Sequence, residues 1–123
     1  MTLDSGALIA VERGDRPTVR FIDAMLRKGW HLIVPAPVLT EVWRGGARQH
    51  HISRLLAGCS VEPLDEPLAR AAGELLGRTG TADPVDAIVA QSAARRGDIV
   101  LTSDPDDLQR LADDLGTIRV RGA

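Results

Sequence analysis

Four acids in the chain, Asp4, Glu41, Asp86 and Asp104, are spaced for chemistry on a phosphodiester. Asp4 follows Met1-Thr2-Leu3, and Glu41 lies seven residues past Leu32-Ile33-Val34. Asp86 belongs to Asp83-Pro84-Val85-Asp86-Ala87-Ile88-Val89-Ala90, and Asp104 closes Ile99-Val100-Leu101-Thr102-Ser103. Each stands where a short apolar run gives way to a turn or a helix. In an open parallel α/β sheet such positions converge on one edge. Carboxylates gathered there repel one another by about 4 kcal/mol per pair at ~4 Å and an effective dielectric near 20. A cation offsets that repulsion, and hard oxygen donors suit Mg²⁺ or Mn²⁺ acting on a phosphodiester.

The elements that must position these acids alternate along the chain. Strand-like runs fall near 1–4, 31–34, 59–62, 98–102 and 117–121. Helical patterns lie between them at about 5–13, 17–28, 36–45, 48–57, 65–78, 84–96 and 105–115. Alternation of this kind is the signature of βαβ units, hence of a parallel sheet with helices on its faces. Glycines such as Gly80, Gly97 and Gly116 fall where helices should end in a left-handed residue. Asp83-Pro84 and Asp104-Pro105 each set a capping acid before a proline at the first helical position. With 123 residues and neither linker nor repeat, residues 1–123 read as one domain.

Each acid alone also has a plainer reading. Asp4 at a strand end can cap the following helix, a role Ser5 could take instead. Glu41 lies just outside the apolar arc of Val38, Leu39, Val42 and Trp43 and can face solvent. Asp86 shares a stripe with Ala90 and Ala93, where a carboxylate is costly unless paired or metal-bound, yet it also suits the first turn of a helix capped by Asp83. Asp104 is a natural N-cap, with Asp106 and Asp107 as dipole partners in the turn that follows.

Composition narrows the classes. Hydrophobic residues make up 44% and charged residues 26%, as in a soluble globular protein. A net charge of −2 argues against coating nucleic acid through bulk positive charge. No acid occurs between Glu41 and Glu62, while Arg44, Arg48, His50, His51 and Arg54 all do. Arg44 and Arg48 are therefore the candidates for phosphate-backbone contact, with partner docking as the alternative. The lone Cys59 can form no internal disulfide and reads as a small buried apolar residue. Neither a signal-like N-terminus nor a run long enough to span a membrane is visible, so the expected location is the cytoplasm. Trp30, Trp43 and Phe21 are expected in the core. His50 and His51 lack further ligands at zinc spacing.

Taken together, the four motifs resemble those of the PIN-domain ribonucleases. Leu3-Asp4-Ser5-Gly6-Ala7-Leu8-Ile9-Ala10 is similar to the family's first motif and Val34-Pro35-Ala36-Pro37-Val38-Leu39-Thr40-Glu41-Val42 to its second. Asp86-Ala87-Ile88-Val89-Ala90 and Val100-Leu101-Thr102-Ser103-Asp104-Pro105-Asp106-Asp107-Leu108 are similar to the third and fourth. Ser5 stands where the family often has Thr, and Asp83 adds an acid near the third motif. The small size resembles the VapC-type toxins of bacterial toxin–antitoxin pairs. The resemblance implies a three-layer α/β/α sandwich on a parallel five-stranded sheet. It further implies Mg²⁺- or Mn²⁺-dependent RNA cleavage, homodimerisation and inhibition by a small cognate antitoxin. Asp4, Asp86 and Asp104 would then hold the metal, Glu41 would complete the catalytic set, and Asp83 and Asp107 are additional acids. Two rivals are weighed. A PIN-like binding module without activity would not need four intact acids, and a phospho-acceptor receiver domain needs a lysine after a late strand, whereas the only lysine is Lys28.

Overall fold

The computed structural model describes residues 1–116 and 119–122. Its strands are β1 (Thr2–Leu3), β2 (Ile33–Pro35), β3 (Ser60–Glu62), β4 (Ile99–Thr102) and β5 (Arg119–Gly122). They form one sheet in the order β3-β2-β1-β4-β5, every neighbouring pair parallel. Thr2 sits beside Ile33 on one side and Val100 on the other. The chain thus builds outward from β1 in one direction and then, through β4, in the other. The crevice beyond the C-terminal ends of β1 and β4 is a topological switch point, where open α/β sheets place their sites.

The helices of the described residues are α1 (Ser5–Glu12), α2 (Arg16–Arg27), α3 (Ala36–Val42), α4 (His50–Ala57), α5 (Glu66–Thr79), α6 (Pro84–Arg96) and α7 (Pro105–Leu115). One group packs α1 against α2, α3 and α4, and the other packs α5, α6 and α7 on one another. Both α1 and α6 lie on β1 and β4. The result is the α/β/α sandwich expected from the alternation. Its core joins Leu3, Val34 and Leu101 of the strands to Leu8, Ile52 and Val89 of the helices, all fully or almost fully buried. None of these helices is long and apolar enough to cross a membrane.

Arginines fasten α6 across the sheet. Arg96 donates to the Glu62 carboxylate, to Ser92 Oγ at 2.7 Å and to Thr2 Oγ1 at 2.6 Å, while Arg95 reaches the other Glu62 oxygen at 2.8 Å. That network orients the helix whose first turn carries Asp86.

Several expectations are corrected. The helix foreseen over 36–45 stops at Val42, because Trp43 turns extended and Gly45 adopts φ +76°. The next helix, foreseen from 48, opens with a 3₁₀ turn at Ala47–Gln49 before α4 begins at His50. Buried Gln49 fixes this turn. Its carbonyl accepts from the Arg44 and Gly45 amides at 2.8 and 3.0 Å, and its NH₂ donates to the Val42 carbonyl at 2.6 Å and to Glu12 at 3.2 Å. Trp43 and Trp30 are not core residues but 43% and 38% exposed, since each follows the end of a helix where the chain swings outward. Phe21 is half-buried under the Arg121 guanidinium, 4.1 Å from its ring centroid. Cys59 is half-buried, and burial pushes its thiol up to about 11. Of the strand foreseen over 117–121, residues 117 and 118 lie outside the described residues.

Candidate active site

Asp4 leaves β1 at the switch point, its amide bonded to the Leu101 carbonyl of β4 at 3.2 Å. Its Oδ1 accepts from the Ala7 amide at 2.9 Å, so the carboxylate caps α1. Only 7% exposed, Asp4 also takes hydrogen bonds from the Thr102 hydroxyl and the Gly6 amide. Burial outweighs these bonds and raises its pKa, with the Glu41 charge adding to the rise. Glu41 projects from the last turn of α3, exposed, and accepts a hydrogen bond from the Ser5 hydroxyl at the start of α1.

Asp86 lies one turn into α6, half-buried, on the stripe that buries Ala90 and Ala93. Burial first, then the charges of Asp83, Asp4, Glu41 and Asp107, lift its carboxyl from an ordinary 3.8 to about 7. Carboxylates from the end of β1, from α3, from the start of α6 and from α7 thus all act on one group. Asp83 is exposed and caps α6 as its Asp-Pro sequence leads one to expect, its Oδ1 accepting from the Val85 and Asp86 amides at 2.9 and 3.2 Å.

Asp104 behaves otherwise. It precedes α7, yet its carboxylate makes no capping bond, and its backbone (φ −128°, ψ 75°) departs from the extended geometry of the other acid caps. Its amide instead donates to Thr102 Oγ1 at 3.0 Å. Thr102 therefore links the Asp4 carboxylate to the backbone of Asp104. The Asp104 side chain is exposed and is absent from the charges that raise Asp86, whereas Asp107, three residues on, is among them. The charges that act on Asp86 are thus those of Asp83, Asp4, Glu41 and Asp107, and the exposed Asp104 is not among them.

A profile of the PIN domain matches residues 1–114. The chain belongs to the PIN domain family. Its fold is shared with solved structures that resemble it only distantly in sequence. VapBC2 from Rickettsia felis, bound to a DNA fragment from its promoter, superposes with a TM-score of 0.78 at 13% identity, over 99% of this chain and 97% of that one. DNA-bound VapBC from Salmonella typhimurium gives 0.71 at 19% identity, over 98% and 96%. FitAcB from Neisseria gonorrhoeae gives 0.64 at 19%, over 97% and 94%. No curated protein sequence matches the chain significantly.

Does the PIN site suit a divalent ion? As the side chains stand, no three His, Cys, Asp or Glu among the described residues form a ready cage. The donor chemistry fits nonetheless. Two carboxyls, Asp4 and Asp86, are raised by burial first and then by neighbouring carboxylates, Glu41 acting on both, and a cation would relieve both effects. Every donor is a carboxylate oxygen, the set that hard cations prefer over soft ones.

Beside the acids, Asp83, Asp86 and Asp107 share a cleft of about 290 Å³ with Arg110. Arg110 was not apparent in the motifs, although its position three residues after Asp107 on α7 puts both on one helix face. Arg44, a sequence candidate for RNA contact, folds back on its own helix. Its guanidinium donates to the carbonyls of Thr40, Glu41 and Trp43 at 3.2, 3.3 and 2.9 Å, capping the C-terminal end of α3. Arg48 is exposed on the 3₁₀ turn. A second cavity, about 590 Å³, lies between α2 and α4, with Val19, Ile22 and Leu55 among its lining and Arg16, Arg20, Asp23 and Arg54 beside them.

Proposed function

We propose that this PIN domain is a Mg²⁺- or Mn²⁺-dependent endoribonuclease, the toxin of a VapBC-type pair. One observation carries the reading: four carboxylates, those of Asp83, Asp4, Glu41 and Asp107, act on a half-buried fifth, Asp86, whose carboxyl is pushed up to about 7. Maintaining such repulsion is costly unless a cation and a phosphate are the intended occupants.

In this reading Asp4 and Asp86 hold the metal, with Asp104 joining from the rim, where its exposed side chain is free to change rotamer. The ion, when bound, supplies charge for the phosphoryl oxygens and lowers the pKa of a bound water. Glu41, anchored by Ser5, orients the attacking water and accepts its proton. Asp83 holds the first turn of α6, and so the direction of Asp86, through its two capping bonds. Asp107 adds negative charge to the same edge. Arg110, in the cleft beside Asp86, and the exposed Arg48 contact RNA phosphates. Arg44 contributes by closing α3, which carries Glu41, and meets RNA only by giving up its carbonyl partners.

The partner is a small antitoxin. The apolar cavity rimmed by Arg16, Arg20 and Arg54 suits an amphipathic segment with acids flanking its apolar face. The toxin acts in the cytoplasm, as a homodimer. Incubating the purified chain with structured RNA in Mg²⁺, Mn²⁺ or chelator tests the activity. Cleavage that depends on the ion and vanishes in Asp4→Asn is expected, and cutting that survives chelation would overturn the reading.

A further inference from the structure

Gly6 is the second residue of α1, a position where glycine is a poor choice and alanine a good one. Its backbone does not require glycine, since it is absent from the positive-φ residues. What it lacks is room. A Cβ on Gly6 would lie 1.9 Å from Ser103 Oγ, 2.8 Å from Ser103 Cβ and 3.0 Å from the Ser103 backbone nitrogen. No other glycine among the described residues has an atom nearer than 3.6 Å to its would-be Cβ. A serine hydroxyl can rotate aside, but a Cβ and a backbone nitrogen move only if the whole turn moves.

That turn matters because of what flanks Ser103. Thr102 on one side bonds to the Asp4 carboxylate, and Asp104 on the other rests its amide on Thr102 Oγ1. Gly6 itself is one residue removed from Ser5, the Glu41 partner, and its amide bonds to Asp4. The contact between Gly6 and Ser103 therefore joins the two segments that carry Asp4 and Asp104. We propose that Gly6 is a positioning residue, its missing Cβ bedding the β4–α7 turn on the first turn of α1 and setting the separation of the two acids that must share a divalent ion. This inference rests on the metal-dependent reading above.

Mn²⁺ titration of the metal-free chain by calorimetry tests it without any turnover. Gly6→Ala should bind Mn²⁺ about 10-fold more weakly, the scale typical of residues that orient ligands from behind. Introduced into Ser103→Gly, where the two closest clashing atoms are gone, Gly6→Ala should cost far less binding than it does in the wild type. Gly6→Ala that binds as tightly as wild type overturns the inference. If Gly6→Ala does not fold, the double variant decides, and its failure to recover binding overturns the inference as well. A wild-type chain that binds no Mn²⁺ overturns the proposed function together with this extension of it, whereas a wild type that binds alongside an unaffected Gly6→Ala overturns the extension alone.

Discussion

Asp86→Asn should make the metal-free protein more stable, by an amount that depends on pH. A carboxyl raised from 3.8 to about 7 on folding carries roughly 4 kcal/mol of destabilisation when fully ionised, at 1.36 kcal/mol per tenfold. Asp86 is half-exposed, so solvent screening reduces this to about 1–2 kcal/mol. The sign follows from linkage. Below pH ~3.8 the group is protonated in both folded and unfolded chains and contributes nothing. Between ~3.8 and ~7 the unfolded chain releases its proton while the folded chain retains it, so the wild type loses stability as pH rises, and above ~7 the loss is constant. Asparagine keeps the shape and removes the titration. Urea denaturation in chelator from pH 4 to pH 8 should show the two proteins nearly equal at the acid end and the variant more stable by about 1–2 kcal/mol at the other. Adding Mn²⁺ should reverse the order, because saturation at about 100 times the dissociation constant adds roughly 2.7 kcal/mol to the chain that binds it. A stability difference independent of pH, or a wild type more stable than the variant in chelator at pH 8, would refute the placement of Asp86 among like charges.

Asp83→Ala removes two capping bonds from α6 and should lower stability by about 1 kcal/mol in urea denaturation while most RNA cleavage persists. Loss of Mn²⁺ binding in that variant, with retention in Asp86→Asn, would exchange the two roles. Arg110→Ala should weaken RNA binding, measured by fluorescence anisotropy in chelator, and leave Mn²⁺ affinity unchanged, since Arg110 lines the cleft without being a metal donor. Charge reversal at the large cavity, Arg20→Glu with Arg54→Glu, should weaken co-purification with the small protein encoded in the adjacent reading frame. RNA cleavage should stay intact, and unchanged complex formation would remove this cavity as the docking surface.

The sheet was legible because its signals are local. Apolar runs, glycine stops and Asp-Pro starts each declare an element within a few residues, and the order of elements fixes a parallel topology. What sequence could not supply depended on contacts between distant segments. The end of α3 is decided by Gln49, seven residues after Val42, and by Arg44 turning back on its carbonyls, neither of which periodicity reveals. Trp43 looked apolar enough for the core, but it follows the last helical residue and so leaves the helix face on which its neighbours are buried. Gly6 looked like an ordinary small residue of the first motif, and only the approach of Ser103, 97 positions later, explains it.

The acids show most clearly why a cap and a ligand are hard to tell apart in sequence. A cap engages one carboxylate oxygen, and an ion needs only one. Asp4 gives Oδ1 to the Ala7 amide and is still a buried, raised carboxyl that other charges act upon, so capping α1 does not remove it from the site. Asp83 also caps through Oδ1, accepting two amides there, but it is exposed, at the mouth of the cleft it shares with Asp86. Burial, then, separates the two, and burial is set by what packs alongside. Asp4 is buried where β1 and β4 meet the start of α1, while Asp83 is exposed. By the same criterion Asp104, exposed and not capping, is tied to Asp4 through the bond of its amide to Thr102, so in the proposed reading its side chain is the least fixed of the acids.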